Sequence, residues 1–139
     1  MDTTNSIIKL YDLKETDKAT TSVYTPKDFV FIKDHEYFKK VRFQNICYLE
    51  ASGSYCIIHL SDTDTDTITC TRTLSEIVRR FPTTNFVRVH RSFVVNLDHV
   101  NQYLGNQLWA GTDAIPIGRL FKKDVLNHLN IIGADVSSS

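Results

Sequence analysis

No stretch of this sequence is long and apolar enough to span a membrane, and its polar start, MDTTNS, has neither the basic nor the apolar region of a secretory signal. The chain is therefore expected in the cytoplasm, with no membrane partner. Cysteine is scarce: Cys47, Cys56 and Cys70 are odd in number and too widely spaced for the CxxC pairs of zinc sites or dithiol redox centres. They read as reduced core thiols. An excess of one charge is lacking too. The 16 basic and 16 acidic side chains cancel, so the total argues neither for nor against a polyanionic partner. No GxSxG elbow, HExxH pair or glycine-rich phosphate cradle occurs, which leaves catalysis without support. His35, His59, His99 and His128 fall on separate elements without a close ligand pair, so neither a metal nor a cofactor is expected. His90 beside Ser92 pairs a base with a nucleophile, yet nothing supplies the orienting group or oxyanion donors such a site requires. A structural histidine is the simpler reading.

What is present fits one compact domain, since 139 residues with 42% hydrophobic content can build a core. The charge is split along the chain: residues 1–66 hold 8 basic and 11 acidic groups, net −3, and residues 67–139 hold 8 and 5, net +3. By itself such a split reads as ordinary solvated surface rather than as a binding face. Residues 1–26 are rich in Thr, Asp and Lys with little period and read as a polar linker or arm closed by Pro26, although IIKLY at 7–11 has the character of a docking or pairing segment. Next come FVFIK and YFKKVRF around a DHE turn, then ICYLEA and YCIIHL around SGS, all β-rich runs. SDTDTDT at 61–67 has neither the turn glycine nor the distal glutamate of a calcium loop and reads as a solvated hairpin tip. In TLSEIVRRF, Thr73 and Glu76 have capping-box spacing and Leu74, Ile77, Val78 and Phe81 mark one face of a short helix ended by Pro82. From Phe86 onward FVRVH, a turn-like SFVVN, HVNQYL, QLWA and AIPI follow, with reversals at Gly105–Asn106 and at GTD. RLFKKDVLNHL closes the domain as an amphipathic helix with Leu120, Phe121, Val125 and Leu129 on its apolar face. Residues 27–134 thus form a mainly β, mostly antiparallel domain with two short helices, and 135–139 form a flexible tail.

Within the apolar run NFVRVHRSFVVN three cationic or titratable residues intrude. Strand alternation in FVRVH sends Phe86, Arg88 and His90 to one face and Val87 and Val89 to the other. Arg88 reads as structural, fanned over an aromatic or paired with an acid. Arg91 stands where the strand ends, so its planar fork projects from a loop edge. Arg119 occupies a second junction, between AIPIG and the last helix, where a cation slightly opposes the helix dipole. Lys122 and Lys123 follow within one turn, a placement suited to phosphate oxygens while Arg119 reaches a base edge. A solvated basic helix end explains the same residues.

The ordered segments ICYLEASGSYCIIHL, TRTLSEIVRRFP, FVRVHRSFVVNLDHV and AIPIGRLFKKDVL resemble the LytTR family, the DNA-binding domain of LytR-type and AlgR-type bacterial response regulators of two-component systems. The likeness runs from about Phe29 to about Leu129, and its most specific part is the F-x-R-x-H-x-S-(aromatic)-x-V-N pattern beginning at Phe86. The resemblance implies about ten short antiparallel strands and a transcription regulator that enters successive major grooves of double-stranded DNA with loops rather than a recognition helix. It also implies base contacts from Ser54 with Tyr55, from Arg91 and from Arg119, and phosphate contacts from Lys122 and Lys123. His90, Ser92 and Asn96 become turn-forming residues that satisfy backbone groups. Ser54 is shorter than the polar side chain some relatives carry there, so that loop is suited to phosphate contact alone. Paired direct repeats are the implied targets, with room for two copies side by side on DNA. A typical member carries a phosphate-receiving domain ahead of this one, for which the chain has no room; it reads as a free-standing regulator or as part of a longer one. A protein-interaction or ligand-binding β domain that has lost DNA binding is the alternative, supported by the neutral total charge and the short Ser54.

Overall fold

The computed structural model describes residues 27–61 and 66–133. The arm expected over 1–26, the tip of the aspartate-rich turn at 62–65 and the tail expected over 135–139 lie outside the described residues. Within them are ten strands: β1 Phe29–Asp34, β2 Tyr37–Arg42, β3 Ile46–Ser52, β4 Tyr55–Leu60, β5 Thr67–Cys70, β6 Phe86–His90, β7 Phe93–Asn96, β8 Val100–Leu104, β9 Gln107–Ala110 and β10 Asp113–Pro116. Two short helices, α1 Leu74–Val78 and α2 Lys122–Leu129, complete the fold. All pairings are antiparallel, as the expectation of a mainly β LytTR-like domain requires. β1 and β2 form a hairpin, β5-β4-β3-β7-β6 form the central sheet, and β10-β9-β8 form a third sheet.

The central sheet is apolar on both faces, which is why its strands read as nearly continuous hydrophobic runs. On one side Leu49, Ile58, Ile68, Phe86 and Val94 pack with Ile32 and Val41 of the first hairpin and Leu74 of α1. The rings of Phe43, Phe81 and Phe86 meet edge to face here, with centroids 4.9 to 5.9 Å apart. On the other side Val87, Val89 and Val95 pack with Leu108 and Ile115 of the third sheet and Val125 of α2. A bulge between Ile46 and Tyr48 turns both Cys47 and Tyr48 to this second face. The Tyr48 hydroxyl then donates to Asp113 Oδ2 at 2.7 Å, tying the central sheet to β10. Burial, followed by this hydrogen bond, drives the Tyr48 pKa upward. All three cysteines are free thiols. Burial pushes Cys47 and Cys56 up to about 11, so they stay protonated at neutral pH.

Three local readings change. FVVN is the buried strand β7 rather than part of a turn; the reversal takes only Arg91 and Ser92. Helix α1 keeps the expected capping box, with Thr73 Oγ1 accepting from the Glu76 N–H at 3.1 Å and Glu76 Oε1 accepting from the Thr73 N–H at 2.9 Å. These bonds stabilise the charged carboxylate and lower the Glu76 pKa. The helix ends at Val78, with Arg79 as its cap, before Pro82 can act. At the carboxyl end, Arg119–Phe121 form a 3-10 turn ahead of α2. Its tighter period swings Leu120 outward to 91% exposure, and Leu126 takes a buried place instead.

At the far end of the central sheet Asn96 is 1% exposed and fully bonded. Its Nδ2 donates to the carbonyls of Phe43 (3.2 Å) and Ile46 (2.9 Å), and its Oδ1 accepts from the Asp98 N–H (3.0 Å). Asn96→Ala takes a donor from the Ile46 carbonyl and one of two donors from the Phe43 carbonyl, which still accepts the Ile46 N–H, and is expected to cost about 1–3 kcal/mol in urea denaturation. A loss under 0.5 kcal/mol, the ordinary range of a neutral surface change, contradicts this role.

Candidate nucleic-acid interface

Strand register gathers the singled-out loops at one end of the central sheet. Ser52 faces Tyr55 across the β3–β4 turn, Cys56 faces Cys70 on β5, and Phe93 faces both Glu50 and His90. The β3–β4 tip, the β5–α1 connection and the β6–β7 turn therefore share that end. The tip is a two-residue turn of Gly53 and Ser54, with Gly53 at φ +61°, a conformation that only glycine adopts freely. The Ala51 N–H donates to the Ser92 carbonyl at 2.8 Å, fastening the β6–β7 turn beside the tip. Ser54, Tyr55 and Arg91 line one cleft of about 200 Å³ together with Arg72, Ser75 and Arg88.

The Arg91 turn is held from both sides. Below it, Arg88 Nε donates to the His90 carbonyl at 3.0 Å, Nη2 donates to the Arg91 carbonyl, and Nη1 donates to Ser75 Oγ of α1 at 3.4 Å. Arg88 is thus structural, but its partners are turn carbonyls and a hydroxyl rather than an aromatic or an acid. Above it, the Ser92 N–H donates to His90 Nδ1 at 3.0 Å, which requires a lone pair on that nitrogen.

His90 does not share a face with Phe86 and Arg88. A bulge between Arg88 and His90 rotates the strand end, so the His90 ring turns toward the second core and lies edge-on to Phe93 with centroids 5.6 Å apart. The bulged Val89 carbonyl accepts from the Gly118 N–H at 2.8 Å. Gly118 also lies so close that an added Cβ would sit 3.1 Å from Phe121 Cδ2 and 3.6 Å from His90 Cα and Cδ2. The backbone carrying Arg119 is therefore stitched to the strand that carries Arg91. Both arginines are exposed, and among the described residues neither guanidinium pairs with an acid.

Lys122 and Lys123 differ from each other. Lys122 Nζ donates to Asn106 Oδ1 at 2.9 Å, on the β8–β9 turn, whereas Lys123 is exposed. Asn106 also accepts the Ile117 N–H through its carbonyl at 2.7 Å, so this turn braces the approach to Arg119. Arg72 was not singled out by sequence reading, although it stands within TRTLSEIVRRFP. Its signal was a cation directly before the helix cap Thr73.

The family model for the LytTr DNA-binding domain matches residues 36–130. This chain belongs to the LytTR DNA-binding domain family. The CO-responsive transcriptional regulator RcoM of Rhodospirillum rubrum is 38% identical over 81 residues, covering 53% of this chain and 33% of RcoM. The LytTR chain thus spans about a third of that relative's length. Among solved structures, a LytTr DNA-binding domain from Bacillus cereus aligns with a TM-score of 0.63 at 23% identity, covering 76% of this chain and 99% of that one. That likeness establishes the shared LytTR fold.

Because two Arg88 donors are committed to the turn and a third ties it to α1, its removal should loosen Arg91 before it unfolds the LytTR domain. Arg88→Ala is expected to lose about 1–3 kcal/mol of stability. Arg88→Lys keeps the charge but not the fork. Both should lower the backbone order parameter of Arg91 by NMR relaxation, and an unchanged value in both variants contradicts the bracing role.

Proposed function

We propose that the chain is the DNA-binding part of a bacterial transcription regulator, working in the cytoplasm without catalytic chemistry of its own. The observation that carries this reading is the stitching of the Arg119 segment to the Arg91 turn, with both guanidinium groups free of acids among the described residues. Arg91 and Arg119 read base edges, since an arginine fork matches guanine O6 and N7, a contact worth about 1–3 kcal/mol of discrimination. Tyr55 and Ser54 meet the duplex from the neighbouring tip. Lys123 takes a backbone phosphate, and Lys122 approaches another while holding Asn106. Loops thereby enter successive major grooves on one side of the duplex. Paired direct repeats are the target, with two copies of the domain side by side.

RcoM is described as a transcriptional regulator, which supports the same assignment here. The net charge of zero is no obstacle, because binding depends on the local field at the sheet end and not on the total.

Mobility-shift titrations against a duplex enriched from a random-sequence pool test the roles. If five phosphates are neutralised, log affinity should fall against log salt with a slope of roughly −4 to −5. Arg91→Ala and Arg119→Ala should each remove sequence preference, while Lys123→Ala should weaken selected and random duplexes alike and reduce the slope by about 1. Equal losses on both duplexes for all three variants would reject the division between base and phosphate contacts.

A further inference from the structure

We propose that the cleft between the β3–β4 tip and α1 is a seat for one DNA backbone phosphate, with Arg72 as its principal ligand. This rests on the DNA-binding reading of the same sheet end. The cleft of about 200 Å³ is lined by Ser54, Tyr55, Arg72, Ser75, Arg88 and Arg91. Three guanidinium groups on one small concavity repel each other at close range, and the arrangement is favourable once an anion lies between them.

The three are not equivalent. Arg88 is committed to the His90 and Arg91 carbonyls and to Ser75 Oγ, so it contributes charge more than free donors. Arg91 occupies the turn tip and is assigned to a base. Arg72 is exposed, and among the described residues its side chain has no hydrogen-bond or ion-pair partner within range. Glu76, an acid whose carboxylate feels the Arg72 charge, has one oxygen accepting from the Thr73 N–H, and its lowered pKa reflects that bond first and the charge of Arg72 less. Ser75 Oγ accepts from Arg88, which leaves its own proton free to donate. A phosphodiester in the cleft therefore meets the Arg72 fork and the hydroxyls of Ser75 and Ser54.

The ligand set favours phosphate over a base. A planar fork paired with hydroxyl donors is the usual means of positioning a backbone without reading it. Placed beside the base assigned to Arg91, this phosphate sets the depth at which the turn enters the groove. Arg72 is then a positioning contact for the duplex, and the short Ser54 is suited to its place because a longer side chain would fill the seat.

The test uses the full 139-residue chain, a duplex enriched from a random pool, a random duplex, and versions of the enriched duplex carrying one neutral methylphosphonate at successive positions. Arg72→Ala should weaken both natural duplexes roughly tenfold, the loss of about one charge-assisted hydrogen bond, and make the salt slope shallower by about 1. Arg72→Lys should restore the slope. At one methylphosphonate position the wild type should lose as much as Arg72→Ala does, and the variant should lose nothing more. Thermal unfolding should be unchanged in both variants, since Arg72 holds no other residue among the described ones. Full affinity and an unchanged slope in Arg72→Ala, or additive losses at every methylphosphonate position, would overturn the inference while leaving the DNA-binding reading intact. Failure of the wild type to bind any duplex would overturn both.

Discussion

Everything at the candidate interface depends on the bulge at the end of β6. A regular strand would place His90 with Arg88 and spend the Val89 carbonyl within the ladder. The bulge turns His90 across the sheet toward Phe93 and presents Val89 O to the Gly118 N–H at 2.8 Å. One extra residue in the strand thus joins two chain segments almost 30 positions apart, 89 and 118, that carry the two exposed guanidinium groups. Without a helix to lay in a groove, rigidity must come from such backbone bonds.

Arg88 supplies the complementary brace. Its three donors reach two carbonyls and the Ser75 hydroxyl, so the shape of the Arg91 turn is coupled to the docking of α1 on the central sheet. A lysine cannot span those acceptors, because its donors sit on a single nitrogen. The same logic explains the polar group at the opposite end. Asn96 bonds to Phe43, Ile46 and Asp98, closing a chain corner with donors to its buried carbonyls. Arg88 and Asn96, polar side chains within apolar strands, satisfy backbone at opposite ends of the sheet, whereas Arg91, in the turn beyond the strand, is exposed.

Much of this was legible in residue order. Runs rich in β-branched and aromatic residues, separated by turn residues, announced most strands, and the Thr73–Glu76 spacing announced α1 with its capping box. The motif from Phe86 to Asn96 located the turn, and the likeness of four ordered segments pointed to the family. Other features were hidden for physical reasons. A buried strand such as FVVN has no alternation to distinguish it from a tight turn rich in apolar residues. Bulges are set by ladder pairing, so the reversal of His90 could not be seen in FVRVH. The 3-10 turn at 119–121 shares composition with an α-helix, and hence Leu120 was assigned to a face it does not occupy. Arg72 depends on register: only the pairing of Cys56 with Cys70 brings it alongside Tyr55.

The central claim is that a braced turn reads a base through the fork of Arg91. The most direct measurement replaces single guanines in the enriched duplex with 7-deazaguanine, which removes the N7 acceptor but keeps base pairing, and compares wild type with Arg91→Ala. The account predicts one guanine at which the wild type loses roughly tenfold, about the worth of a base-edge contact, and the variant loses nothing further. If the wild type tolerates the replacement at every guanine, or if the variant is penalised as heavily as the wild type at each, Arg91 does not read the base and the account is wrong.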